Sequence, residues 1–215
     1  MNKPFVIAID GPAASGKGSL AKRLAAHLEF DFLDTGALYR RAALNIIENG
    51  MDIADNSAII NQTERFIPKL HEKYDDSALR NDKVGNLASI IAQIPEIRAL
   101  LFNFQQEFAK KSNKGAVLDG RDIGTIICPD ADLKLFITAS TEKRAQRRHK
   151  ELLLRGLHVK YEAVLAEMQE RDERDNVRLK DHLAPNIKNH VIDTSDMSPD
   201  EVFQTALDFY TSQSR

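Results

Sequence analysis

The chain is most tightly constrained near its start. There a short apolar run, PFVIAI (residues 4–9), leads into a glycine-rich stretch, IDGPAASGKGS (residues 9–19). The run contains β-branched residues and reads as a strand buried on both faces. Behind the glycines, Leu20, Leu24 and Leu28 recur at i, i+4 and i+8 and predict an amphipathic helix over residues 17–28. Strand, glycine loop and helix in this order are the setting of a phosphate-binding loop. The match to that loop's usual pattern is incomplete. Gly11, Gly16 and Lys17 fit, but Gly18 stands where a Ser or Thr hydroxyl is expected, and Ser19 comes one place late. The alternative is an ordinary Gly-rich loop.

Three further apolar runs, at residues 116–118, 133–137 and 190–192, each stop at a polar or turn residue, and helical patterns follow them. Ser140 is placed to cap a helix running to about residue 155, and Ser198-Pro199-Asp200-Glu201 is a capping box with Pro at the first helical position. The last helix presents Val202, Ala206, Leu207 and Tyr210. Strands alternating with helices predict an α/β fold, a parallel sheet covered on both faces. Residues 35–114 show no strand pattern; helices are expected at 37–47, 57–70, 84–91 and 95–110, with a polar loop at 71–83. The expected division is one domain with a core of residues 1–34, 115–142 and 188–215. A helical insertion spans about 35–114, and a second, charged insertion spans about 143–180.

At 215 residues, 42% hydrophobic and 29% charged, the chain reads as globular. A net charge of −2 argues against a general nucleic-acid binder. Cys128 is the only cysteine, so no internal disulfide can form, and it is expected to be a small hydrophobe wholly or half buried. The N-terminal apolar run is too short for a signal segment or a membrane span, so a cytoplasmic protein with no membrane partner is expected.

Four features point to anions. The first is the loop itself. A helix N-terminus preceded by glycines directs free N–H groups and a partial positive charge outward, and Lys17 adds a full charge. The second is LDTGALYRR (residues 33–41), where Thr35 either caps a helix or donates to an anion, with Arg40 and Arg41 one turn on. In VLDGRDIGT (residues 117–125), Asp119 ends a strand where an acid often approaches magnesium. Arg121 and Asp122 follow at the edge where α/β ligands bind. In ERDERDNVR (residues 170–178), Arg171, Arg174 and Arg178 share a helical stripe with Asp175. Taken singly, the last three also read as a capped helix with surface arginines, a polar glycine turn and a solvated helix laced with ion pairs. The RAQRR run (residues 144–148) has the same bland alternative. One nucleotide triphosphate does not require so many arginines, whereas an anionic donor and an anionic acceptor held side by side do.

These motifs, together with NLASIIAQIPEIRALL, occur in the order found in the bacterial cytidylate kinase family, the nucleoside monophosphate kinases that phosphorylate CMP and dCMP. The chain resembles that family from residue 6 to residue 178, and its terminal strand and helix fit as well. The resemblance implies a three-layer P-loop NTPase fold with a parallel sheet, a helical monophosphate-binding insertion and a short lid. It also accounts for Gly18, because such kinases commonly carry Gly-Lys-Gly-Ser or Gly-Lys-Gly-Thr and hold Mg²⁺ mostly through nucleotide phosphates and water. The acid implied behind that water is Asp119.

By the same resemblance, Gly11, Pro12, Ala13, Ala14, Ser15, Gly16, Lys17, Gly18 and Ser19 bind the ATP phosphates. Thr35, Arg40 and Arg121 hold the acceptor phosphate, while Ser89, Arg98 and Asp122 read cytosine. Arg171 and Asp175 meet the ribose, and Arg178 lies near the phosphate. Arg147 and Arg148 lie in a mobile lid over the transferring group, with Lys17, Arg121, Arg147 and Arg148 as the catalytic set. The implied partners are ATP and CMP or dCMP, and a monomer is expected. The family's insertion often contains extra strands, for which residues 74–83 are too short here. The alternatives are another monophosphate kinase of the UMP/CMP type, a related small-substrate kinase, or a nucleotide-dependent switch module. A GTPase version of the switch would want an Asn-Lys-x-Asp motif, and the sequence contains none.

Overall fold

A computed structural model describes residues 3–72, 74, 77–183 and 188–214. Among them, the strands are β1 (Phe5–Asp10), β2 (Asp31–Asp34), β3 (Gly115–Gly120), β4 (Leu133–Thr138) and β5 (His190–Asp193). The helices are α1 (Lys17–Leu28), α2 (Thr35–Glu48), α3 (Asn56–Phe66), α4 (Asp82–Ile91), α5 (Pro95–Lys111), α6 (Thr141–Leu154), α7 (Tyr161–Leu179) and α8 (Pro199–Gln213). The strands form one sheet in the order β2-β3-β1-β4-β5. β1 runs parallel to both β3 and β4, and β4 runs parallel to β5. β3 and β4 thus flank β1 on opposite sides, which makes the C-terminal end of β1 the point where the strand order reverses.

The chain forms two compact units, one of Met1–Leu33 with Phe108–Arg215 and the other of Asp34–Glu107. In the first, Leu20 and Leu24 of α1 and Val202 and Ala206 of α8 pack on Ile7, Ile9, Val117, Leu135 and Ile137 of the sheet. Burying a side chain such as Leu24 is worth about 1.5–3 kcal/mol, so this layer fixes α1, and with it the loop before α1, against the sheet. A second cluster joins Ala145 and Leu152 of α6 to Val164 and Met168 of α7, and Ala13 of the glycine loop packs into it. α8 opens with the expected capping box between Ser198 and Glu201. The Ser140 hydroxyl accepts from Lys143 N at the start of α6.

In the second unit, α4 packs along α2, as does α3. Arg41, buried on α2, donates to the carbonyls of Lys69 and Leu70 at 2.6 Å each and lies over the Tyr74 ring at 4.3 Å. It therefore ties down the turn that follows α3.

The structure departs from the sequence expectations in four places. β2 was not expected, because DFLD is four residues long, bounded by Asp, and none of its residues is fully buried. α3 stops at Phe66 instead of continuing to residue 70, and Ile67–His71 tightens into a 3₁₀ turn. Pro68 lacks the N–H that an α-helix would need there. The expected loop at 71–83 contains a 3₁₀ turn at Ala78–Arg80; residues 73, 75 and 76 lie outside the described residues. Thr35 does not cap α2. Asp34 does, accepting from Ala37 N at 2.9 Å, and Thr35 is the buried first residue of the helix. Among the described residues, no single helix is long and apolar enough to cross a membrane.

Candidate active site

The loop from Gly11 to Gly16 leaves the end of β1 and turns back on itself before α1. Gly11 has φ +149°, and a Cβ there would lie 2.0 Å from the Ile137 carbonyl oxygen, so only glycine lets the loop start this close to β4. Ala14 (φ 59°) and Gly16 (φ 91°) both adopt left-handed conformations. For Ala14 this costs energy, and strain of this kind persists where the surrounding structure imposes it, typically at a binding site. Successive turns of this type aim backbone N–H groups into a concavity suited to an anion. Ser15 is fully buried, and its Oγ has no hydrogen-bond partner among the described residues.

Lys17 is buried at the start of α1. Its Nζ donates to the Pro12 carbonyl at 3.2 Å and stands 3.9 Å from Asp119 Oδ1. Asp119 comes from β3, where Ile9 pairs with Asp119 and Asp10 with Gly120. The β3 exit therefore opens beside the glycine loop. A Cβ on Gly18 would lie 3.1 Å from Asp119 Oδ2. Gly18 is thus the residue that lets the carboxylate approach the loop, and a Ser or Thr at this position would crowd it. Ser19 is exposed.

Past β3, Arg121 donates through Nε to Asp175 Oδ2 at 2.8 Å. Arg178 also donates to Asp175, and Arg171 Nε is 4.0 Å from it. The stripe on α7 thus gathers around one carboxylate only 3% exposed, with Arg121 added from another element. Burial opposes ionisation of Asp175, but Arg121, Arg178 and Arg171 outweigh it and hold the carboxyl at about 2. Burial likewise opposes the charge on Arg121, and Asp175 more than offsets it, so its pKa is raised. Arg174 faces Glu170 at 4.0 Å. Asp122 is buried, and its carbonyl accepts from Ile126 and Ile127 N as the chain makes one π-helical turn at Ile123–Ile127. Such turns recur at functional sites.

The two arginines expected over the transferring group have partners within the protein. Arg147 donates to Thr194 Oγ1 at 2.9 Å and to the Ser15 carbonyl at 3.4 Å, while Arg148 pairs with Glu151 at 2.9 Å. In the second unit, Arg40 pairs with Asp34 at 2.8 Å, and a Cβ on Gly36 would meet that Arg40 at 3.0 Å. Ser89 is buried on α4, and Arg98 is half buried on α5.

The sequence reading did not single out four residues that organise the site. Arg144, buried on α6, donates to both carboxylate oxygens of Asp172, at 2.8 and 2.6 Å, and to the carbonyls of Ala13 and Ala139. It joins α6, α7 and the glycine loop. Asp10, at the end of β1, accepts from the amides of Ile123 and Gly124 at 2.8 Å each and lies 3.5 Å from His182 Nε2. Burial pushes Asp10 up to about 6 against the opposing influence of His182 and the two amides. An acid ending an apolar strand was the available signal for Asp10. No spacing marked Arg144 out from its basic neighbours, or Asp172 or His182 from theirs.

A parallel sheet with a glycine loop and buried lysine at its switch point defines a P-loop NTPase fold. The solved structure of a gluconokinase from Sinorhizobium meliloti 1021 shares this fold. It has a TM-score of 0.53 at 14% identity, covering 99% of this chain and 94% of that one. The family model described as cytidylate kinase matches residues 7–212. A cytidylate kinase of Paramagnetospirillum magneticum is 50% identical over 207 residues, covering 94% of this chain and 95% of that protein. One of Methylocella silvestris is 47% identical over 203 residues, covering 94% and 92%. The chain belongs to the cytidylate kinase family.

Proposed function

We propose that the chain is an ATP-dependent cytidylate kinase. It transfers the γ-phosphoryl of ATP to CMP or dCMP and gives ADP with CDP or dCDP. Besides the family relationship, one observation carries the reading. The loop with Lys17 follows β1, and Arg121, which shares Asp175 with Arg178, follows the adjacent parallel strand β3, an arrangement that supports two neighbouring anion sites. A nucleotide switch needs only the first.

Residues Gly11 to Ser19 hold the phosphates of ATP, with backbone N–H groups and Lys17 as donors. Arg121 and Arg178 bind the acceptor phosphate, and Arg171 and Asp175 take the ribose hydroxyls. Asp122 accepts from the cytosine amine. In the second unit, Thr35 and Arg40 are assigned to the acceptor phosphate and Ser89 and Arg98 to the base. Arg147 and Arg148 serve the transferring group, which requires them to exchange their present partners for phosphate oxygens.

An oxygen of the CMP phosphate attacks the γ-phosphorus, and the bond from the γ-phosphorus to the β-bridging oxygen breaks as ADP leaves. No general base is required, because a phosphate monoester with a second pKa of about 6 is already largely ionised at neutral pH. Lys17 and the arginines stabilise the charge that spreads over the phosphoryl oxygens. The site also fits a hydrated Mg²⁺. Gly18 leaves room for Asp119 beside the loop, and the carboxylate would hold the ion through water. When bound, Mg²⁺ neutralises phosphate charge. The enzyme is read as a cytoplasmic monomer whose partners are these nucleotides alone.

Coupled ADP-release assays across CMP, dCMP, UMP, AMP and shikimate test this reading. Turnover is expected with CMP and dCMP well above the others, and Asp122→Asn is expected to narrow the CMP/UMP ratio by about tenfold or more, the scale of one buried hydrogen-bond mismatch. Turnover indifferent to the acceptor contradicts the proposal.

A further inference from the structure

His182, in the 3₁₀ turn Lys180–Leu183 after α7, is buried with 1% of its side chain exposed. Its ring stacks on Phe136 of β4 at 5.1 Å. Around Nε2 stand two acceptors, the Arg121 carbonyl at 3.0 Å and Asp10 Oδ2 at 3.5 Å, so this nitrogen carries a proton and donates. Asn189 Nδ2 lies 2.9 Å from the His182 carbonyl and 3.0 Å from Nδ1. The carbonyl requires the amide's N–H side there, so Asn189 donates towards Nδ1 as well. Asp10 in turn accepts from Ile123 and Gly124 N. The chain Asn189–His182–Asp10 therefore grips the segment from Arg121 to Gly124 from behind. The same turn continues from the helix that carries Asp175 and Arg178.

We propose that His182 is a positioning residue for Arg121: by binding the Arg121 carbonyl and backing Asp10, it fixes the backbone from which the Arg121 guanidinium reaches Asp175 and the acceptor phosphate. The consequence for the acceptor rests on the reading of Arg121 given above, whereas the effect on Arg121 itself does not. Arg121 Nε–H donates to a buried carboxylate, so its exchange with water is slow only while the backbone holds it there. His182→Phe keeps a ring to stack on Phe136 and removes the donor. His182→Gln restores an N–H at similar reach.

The test is run on the full chain. The Arg121 Nε–H signal is followed by ¹⁵N NMR, and KM is measured for CMP and for ATP. His182→Phe is expected to speed exchange of Arg121 Nε–H and raise KM for CMP about five- to tenfold, the scale of one lost internal hydrogen bond. KM for ATP should stay within twofold, and His182→Gln should restore most of both effects. Asn189→Ala, a milder change on the outer side of the ring, should move both readouts the same way by less and serves if His182→Phe does not fold. Unchanged Arg121 exchange, equal rises in both KM values, or no rescue by His182→Gln would overturn the proposal. Faster Arg121 exchange in His182→Phe without any CMP-dependent turnover in the unsubstituted protein would support the positioning role and sink the acceptor assignment instead.

Discussion

Lys17→Ala is expected to lower kcat with CMP by roughly 10²-fold or more, the scale on which one preorganised donor acts on transition-state charge. The lysine is buried, held by the Pro12 carbonyl at 3.2 Å and flanked by Asp119 at 3.9 Å. It reaches the loop as a fixed charge, so little reorganisation is needed when phosphate charge shifts. Alanine also leaves Asp119 facing the phosphates without that cation, which adds repulsion to the lost attraction. The fold should survive, because the α1 contacts with the sheet run through Leu20 and Leu24. Steady-state ADP release alongside a thermal melt checks this. Turnover like that of the unsubstituted protein in a folded Lys17→Ala variant contradicts the role.

Asp175→Asn is expected to lower stability at pH 7 by about 2 kcal/mol and to raise KM for CMP. The carboxyl sits at about 2 in the fold against an ordinary 3.8. A group depressed in this way adds stability that is fully present above its unfolded pKa and is lost as the pH falls through its folded pKa. The increment, about 1.4 kcal/mol for each tenfold gain in acidity, is thus lost between about pH 4 and pH 2. Urea unfolding at pH 7 and near pH 2 reads it directly. The variant should be weaker at pH 7 and nearly level with the unsubstituted protein near pH 2. Without the carboxylate, Arg121, Arg171 and Arg178 repel one another and are no longer gathered at one point. Equal stability at pH 7 would show that the arginines are not organised by Asp175.

The parts of the molecule legible in the sequence are those set by local rules. β1, α1, β3, β4, β5 and the α8 capping box followed from apolar runs, helical spacing and cap chemistry, each written into a few neighbouring residues. β2 was not legible, because DFLD gains its place from pairing beside β3 and not from its own composition. The stripe Arg171–Asp175–Arg178 was visible as helical spacing. That Arg121 would complete it depends on how β3 and α7 meet, whereas Arg174 faces Glu170 one turn back on the same helix. Arg144 and His182 lay deeper still. One is a basic residue among basic residues and the other a lone histidine, and burial alone distinguishes them from their neighbours. Gly18 raised the reverse difficulty. In sequence it looked like a lost hydroxyl, and in the structure a Cβ there would crowd Asp119.

The central claim is that two phosphate sites lie side by side, one at the Lys17 loop and one at the Arg121–Arg178 cluster. A crystal structure with CMP and a non-hydrolysable ATP analogue tests it most directly. The account predicts the analogue's phosphates in the loop from Gly11 to Ser19 against Lys17, and the CMP phosphate within hydrogen-bond reach of Arg121 and Arg178. A CMP phosphate bound away from both arginines would contradict it.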